Sequence, residues 1–290
     1  MASRLGDPAM NPTAAFLADR GVVRVEGEDA PGFLHGLLTN DVVSLPEGEA
    51  RFAALLTPQG KILFDFLVLR APGASPAFLL DCPRSLAADL AKRLSIYKLR
   101  AKVAISDASA EFGIVADWGG AVDLPAGAHI YADPRAVALG RRAILPRAAA
   151  EAFTEAALPA YEAARIAAGA PKGGVDFAYG DAFPHDADMD LFNGVDFHKG
   201  CYVGQEVVSR MKHRGEARKR VVRVRLAGAA PAPGTPVTDG ALAVGALGAA
   251  AGDKALALLR IDRAAEAQAA GRPLEAAGVT VTVEETHVAS

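Results

Sequence analysis

The last 70 or so residues constrain the fold most, because turn residues recur too often there for any long element to form. From Arg220 the pattern VVRVRL alternates apolar and basic residues. The short Val and Leu runs that follow are cut by APAPGTP, TDG, VGALG and AGDK before the chain reaches VTVEETHV. Glycine and proline at that density separate strands, so residues 219–290 read as a small closed or sandwiched β-domain.

Residues 1–218 form the second region and read as α+β. At 290 residues the chain exceeds the size at which one hydrophobic core keeps growing, and its 51% hydrophobic content supports two or three cores. The segment GVVRVEGEDAPGFLHGLLTNDV (21–42) predicts a strand, then a short helix with Asp29 as cap and Pro31 in the first turn. Two apolar runs in ARFAALLTPQGKILFDFLVLR (50–70) meet at Thr57 to Gly60 and predict a β-hairpin. PAFLL (76–80) reads as a strand. SLAADLAKRLSIYKLR (85–100) reads as a helix with Leu86, Leu90 and Leu94 on one face, and KVAISD and FGIVAD as further strands. The helix-like LPAYEAARIAAG (158–169) stops at Gly169. This order of elements points to antiparallel sheets rather than repeated βαβ units. Residues 170–200, dense in Gly, Asp, Phe and His, have the character of functional loops.

HKGCYVGQE (198–206) holds Cys201, one of only two cysteines; the other is Cys82. If the chain is extended there, residues two apart share a face, which places the Lys199 ammonium beside the Cys201 sulfur and favours thiolate. QEVVSRMK then reads as a helix whose positive end faces the cysteine, with Glu206 early and Arg210 and Lys212 late. The alternative is that Cys201 is a small buried hydrophobe. His185, Asp186, Asp188, Asp190, Asp196 and His198 match no oxygen-rich metal loop, and turns and caps are the simpler use for the aspartates. RMKHRGEARKRVVRVR (210–225) carries eight Lys or Arg and one acid. It reads either as a charged strand entry guarding an edge or as an anion site for a carboxylate tail or phosphate.

A net charge of −3 argues against a general nucleic-acid binder. No run approaches the roughly 20 apolar residues that cross a bilayer, and the first residues carry no signal pattern. The expected setting is cytoplasmic, with no nucleic-acid or membrane partner. Two cysteines make no disulfide framework, and an iron-sulfur cluster held by one chain needs about four thiolates. Any cluster would therefore be handled only transiently, or with borrowed ligands.

KGCYVGQE (199–206), followed by RMKHRG, resembles the signature of the YgfZ family of folate-dependent iron-sulfur cluster assembly factors, which has a mitochondrial branch. GLLTNDV near residue 40, LLTPQGKILFDF (55–66), RIAAG (165–169) and NGVDFHKGCYVGQE (193–206) look like family blocks in family order. The family shares its fold with the T-protein of the glycine cleavage system, a tetrahydrofolate-dependent aminomethyltransferase. The resemblance implies an α+β, T-protein-like multidomain fold, with antiparallel sheets around a central channel and a C-terminal β-barrel.

It also implies tetrahydrofolate as ligand, contacted through Asn40, Asp65, Arg165, Gln205, Glu206 and Arg214, with Cys201 and Lys199 as the reacting pair. The basic run would hold the folate polyglutamate tail. Two positions depart from the T-protein pattern. Where that enzyme has paired aspartates this chain has Phe64 and Asp65, and where it has a pterin-binding glutamate this chain has Ala167. Losing a carboxylate that pairs with ring donors costs on the order of 1 to 3 kcal/mol. The expected role is an accessory factor that works with iron-sulfur assembly proteins or client enzymes, rather than a conventional enzyme. The alternatives are a folate-dependent one-carbon transferase using Asp65, and a binding scaffold.

Overall fold

A computed structural model of the chain describes residues 13–215, 217–240 and 242–284, with the side chain of Arg214 outside that description. The amino-terminal part runs β1 (Ala14–Phe16), β2 (Arg20–Glu26), α1 (Ala30–His35), β3 (Ala50–Leu56), β4 (Ile62–Ala71), β5 (Ala77–Pro83) and α2 (Ala87–Tyr97). It continues through β6 (Ala104–Asp107), β7 (Phe112–Asp117), β8 (His129–Ala132), β9 (Arg141–Pro146), α3 (Arg147–Ala150), α4 (Leu158–Ala167) and α5 (Gln205–Arg214). One antiparallel sheet has the order β3-β4-β5-β2-β6 and a second β1-β7-β9-β8. The rest is β10 (Lys219–Leu226), β11 (Pro236–Thr238), β12 (Ala243–Ala251), β13 (Lys254–Arg260), α6 (Ile261–Ala269), β14 (Leu274–Ala276) and β15 (Val279–Val283), whose strands close a barrel. Among the described residues, no helix is long and apolar enough to cross a membrane.

β4 divides two cores, and the two-residue period of a strand explains how. Phe64, Phe66 and Val68 face one core with Leu34 of α1 and Leu90 and Leu94 of α2. Leu67 and Leu69 face the other with Leu56, Tyr131 and Met189. Asp65 belongs by register to this second side, where it is buried. In the barrel the same period explains VVRVRL. Val222, Val224 and Leu226 fill the interior, while the exposed Arg225 pairs with Asp253 at 2.8 Å. Val224 and Arg225 pair with β13 on one side and β15 on the other, so closure leaves no edge there to guard.

Asp29 does not cap α1. Its backbone is already helical (φ −91°, ψ 0°) and it makes no side-chain cap bond, whereas a capping side chain normally works from an extended residue. Its Oδ2 accepts instead from the Lys102 amide at 2.7 Å.

The β3–β4 hairpin positions α5. At its tip Gly60 has φ +80° and at the helix entry Gly204 has φ +83°. A Cβ on Gly60 would lie 3.0 Å from Val207 Cβ, and one on Gly204 would lie 2.6 Å from the Thr57 carbonyl. The two backbones therefore meet without side chains between them, and this contact sets where the cysteine segment enters the helix. Asp176 ties on the barrel. Its Oδ2 accepts from Arg165 Nη1 of α4 at 2.7 Å and from the Lys172 amide at 2.8 Å, and its Oδ1 from the Ala249 amide of β12 at 2.7 Å.

Candidate functional site

The KGCYVGQE segment is held from beneath by side chains that are themselves fully engaged. Asp196 Oδ1 accepts from the amides of His198 (2.8 Å) and Lys199 (3.2 Å), which turns the chain before the cysteine. Lys199 then reaches inward, and its ammonium donates to the carbonyls of His35 (2.6 Å), Leu38 (2.5 Å) and Asn40 (2.9 Å). An ammonium has three hydrogens, so none remains for Cys201. The expected Lys199–Cys201 pairing gives way to a structural role, because the carbonyls following α1 offer a better-matched site than a thiol in water. Burial pulls Lys199 down to about 8, against the charges of Asp41 and Asp196.

Asn40 is likewise engaged. Its Nδ2 donates to the carbonyls of Phe52 (2.9 Å) and Asn193 (2.6 Å), and its Oδ1 accepts from the Asp41 amide. Thr39 adds a 2.6 Å bond to the Gly194 carbonyl. The TND block thus stitches β3 to the segment before Cys201, which explains its place beside that segment without a ligand. Cys201 itself is exposed. Tyr202 is buried beside it, and α5 starts four residues on, with Gln205 half-buried and Glu206 exposed. The Arg214 side chain lies outside the described residues.

Asp65 and Arg165 border a different place, a cavity of about 210 Å³ also lined by Arg20, Arg142, Tyr161 and Glu162. Asp65 accepts a hydrogen bond from the Tyr179 hydroxyl. Arg165 is 2% exposed. Its guanidinium donates to Glu162 through Nε (3.1 Å) and Nη2 (2.9 Å), and to the Ala170 carbonyl and Asp176 through Nη1. It is a structural clamp rather than a free ligand donor.

Behind the cavity, Asp81 accepts from Arg20 (2.6 Å), Arg142 (2.6 Å) and Tyr131 (3.0 Å), and Asp133 from Arg135 and Arg142. Burial would raise the Asp81 carboxyl, but the two guanidiniums outweigh it and hold it low. Glu162, Tyr179, Arg20 and Arg142 escaped the sequence reading. Only Glu162 left a local signal, as the one acid of an apolar helix three residues before an arginine. It places a carboxylate at the cavity wall from one turn before Ala167.

A second cavity of about 820 Å³ lies between the loop of residues 185–192, the end of α5 and the start of the barrel. It meets the first at Arg135. Arg220 grips this loop, donating to Asp188 (2.8 Å) and Asp190 (2.8 and 2.9 Å), while Asp186 Oδ2 accepts from the Phe183 amide. The aspartates thus serve turns and an ion pair. Among the described residues, no group of three or more His, Cys, Asp or Glu is placed to hold a metal. Ligand pockets usually span about 300 to 1,000 Å³. The larger cavity, at about 820 Å³, falls within that range, and the one at Asp65 and Arg165, at about 210 Å³, falls below it.

Comparison with known proteins fits this layout. Residues 218–289 match the family model of the CAF17 C-terminal beta-barrel domain. The crystal structure of glycine cleavage system aminomethyltransferase T from Bartonella henselae is similar with a TM-score of 0.72 over 95% of this chain and 86% of that one. At 18% identity this likeness shows the fold alone.

The mitochondrial iron-sulfur cluster assembly factor IBA57 of Mus musculus is 33% identical over 286 residues, covering 86% of this chain and 77% of its own length. The Homo sapiens protein is 33% identical over 285 residues, covering 88% and 80%. The homolog from Mycosarcoma maydis is 36% identical over 236 residues, 75% of this chain but only 58% of that protein. These relatives are described as mitochondrial, which overturns the cytoplasmic expectation. Their family is also a different, related one from YgfZ. With a third of its residues identical across most of both lengths, the chain belongs to the IBA57 family of iron-sulfur cluster assembly factors.

Proposed function

We propose that this chain assists iron-sulfur cluster assembly by offering Cys201 as one ligand or sulfur-handling thiol to a partner. The observation that carries the reading is a single exposed thiol on a segment pinned by buried Lys199, Asp196 and the Gly60–Gly204 contact. Cys82 offers no help, since burial pushes its thiol up to about 12. A cluster needs about four ligands, so the others come from an assembly protein or a client enzyme. The chain is an accessory to a cluster in transit, not its keeper. Cys201→Ala, introduced into cells lacking the endogenous protein, leaves expression intact and fails to restore iron-sulfur enzyme activity. Full restoration would remove the reading.

Folate, which the YgfZ resemblance brought into view, belongs in this reading to the larger cavity. Phe192 and Met211 give it apolar walls, and Lys212 and Arg223 line it with positive charge suited to carboxylates. The pterin and carboxylates add only binding chemistry there. Calorimetric titration with tetrahydrofolate polyglutamate tests it. Binding weakens with salt and in the double variant Lys212→Glu, Arg223→Glu, and an absence of heat in the unsubstituted chain would exclude folate.

A second reading, one-carbon transfer, is favoured by Asp65 facing a cavity with Tyr179 on its carboxylate. It requires turnover with an aminomethyl donor that Asp65→Asn abolishes.

A further inference from the structure

Charge around the larger cavity does not balance, and the imbalance falls on one residue. Asp188 and Asp190 both line this cavity and share the single guanidinium of Arg220. Asp190 is fully served, since its Oδ1 accepts from Nη1 at 2.9 Å and its Oδ2 from Nη2 at 2.8 Å. Asp188 receives one bond, from Nη1 to Oδ1 at 2.8 Å, and its Oδ2 accepts from no group among the described residues. The residue is only 5% exposed, so water is a poor substitute for the missing donor. His185 lines the same cavity at 2% exposure, and neither of its ring nitrogens has a partner among the described residues. Buried polar atoms in folded proteins nearly always have partners. Two residues short of them on one cavity wall, a spare acceptor and an imidazole with one donor and one acceptor, mark a place suited to a polar occupant.

We propose that Asp188 is the carboxylate that binds the N–H edge of the pterin ring, with His185 beside it as a second polar contact. The inference rests on the reading of this cavity as the folate site. A pterin carries adjacent N–H donors on its ring and its amino group, and an ionised carboxylate, which only accepts, matches such a pair. Lys212 and Arg223 line the cavity too, so its walls offer an acceptor for the ring and cations for the tail. Burial pushes the Asp188 carboxyl up to about 7, helped by Asp190 and Asp186 and opposed by Arg220. Near neutral pH a proton therefore occupies about half of these carboxyls. When a ligand N–H bonds the ionised form, the O–H bond breaks, its electron pair stays on oxygen and the proton leaves to the medium. Burial holds His185 below its ordinary value, with Arg220 and Lys212 adding to the effect and Asp190 opposing it. The ring is thus largely neutral at pH 7 and adds little to that release. The other cations on this side, Lys61 and Lys219, act on Asp186.

The test is calorimetric titration of the full chain with tetrahydrofolate polyglutamate at pH 7, in two buffers that differ in ionisation heat. The difference in measured heat counts the protons released. The unsubstituted chain releases about half a proton per ligand bound. Asp188→Asn keeps an oxygen for Arg220 but loses the acid, so binding weakens about tenfold and the release disappears. A merely structural role for Asp188 would leave no proton to count. If Asp188→Asn does not fold, the proton count on the unsubstituted chain decides alone. Binding without proton release, or a folded Asp188→Asn that binds as tightly as the unsubstituted chain, overturns the proposal and leaves the folate reading standing. No heat from the unsubstituted chain in either buffer removes the folate reading, and the proposal falls with it.

Discussion

The cavity around Asp65 and the segment carrying Cys201 treat charge in opposite ways. At the cavity, Asp81, Asp133, Arg20, Arg142, Arg165 and Glu162 close on one another, and each carboxylate meets a guanidinium. At the cysteine, the charges of Lys199 and Asp196 are turned inward to main-chain groups, and one thiol is left facing outward. The difference separates charge that holds the fold from charge available for chemistry. A residue type matching a family motif does not decide between them, but its hydrogen-bond partners do.

Breaking the closed network should have the largest effect. Arg142→Met strips Asp81 of one guanidinium and Tyr161 of a 2.6 Å donor. It leaves buried carboxylates undercompensated, at a cost of about 3 to 5 kcal/mol. Urea denaturation reads this, and a loss under about 1 kcal/mol would mean that water already reaches the network. Lys199→Met should follow at about 2 to 4 kcal/mol, since it removes three charge-assisted bonds and leaves three carbonyls without a donor. If Lys199 served the thiol rather than the fold, the same variant would instead unfold at the unsubstituted midpoint and alter only the chemistry.

How much of this was legible follows from where each signal lives. The barrel, the hairpin and α4 were readable because turn residues and apolar period act locally, and Gly169 with φ +73° ends its helix as read. The roles of Lys199, Asn40 and Arg165 were not, because their partners lie far along the chain: Lys199 to Leu38 spans 161 residues and Asn40 to Asn193 spans 153. Extended spacing put Lys199 beside Cys201, but spacing carries no information about the carbonyls left by the end of α1.

Gly204→Ala sharpens the comparison from the backbone side. The φ of +83° and the approach of a Cβ to the Thr57 carbonyl at 2.6 Å set a cost of about 1 to 3 kcal/mol. Cluster-related activity should fall with it, because the cysteine segment is re-aimed. A variant with full activity would mean that the hairpin contact does not aim Cys201.

Asp41→Asn gives the smallest stability change and the one with a definite pH window. Burial would raise the Asp41 carboxyl, but the Ser44 hydroxyl, the Val43 and Ser44 amides and Arg51 bring it to about 2, from an ordinary 3.8. Between those values the unfolded chain binds the extra proton and the native one does not. Asp41 therefore stabilises the fold above about pH 4, and that contribution fades as pH falls toward 2. The shift corresponds to about 1 to 2 kcal/mol after allowance for partial exposure. Urea midpoints from pH 5 to pH 2 should fall less steeply in Asp41→Asn than in the unsubstituted chain. Parallel slopes would mean that Asp41 is no better held in the native chain than in the unfolded one.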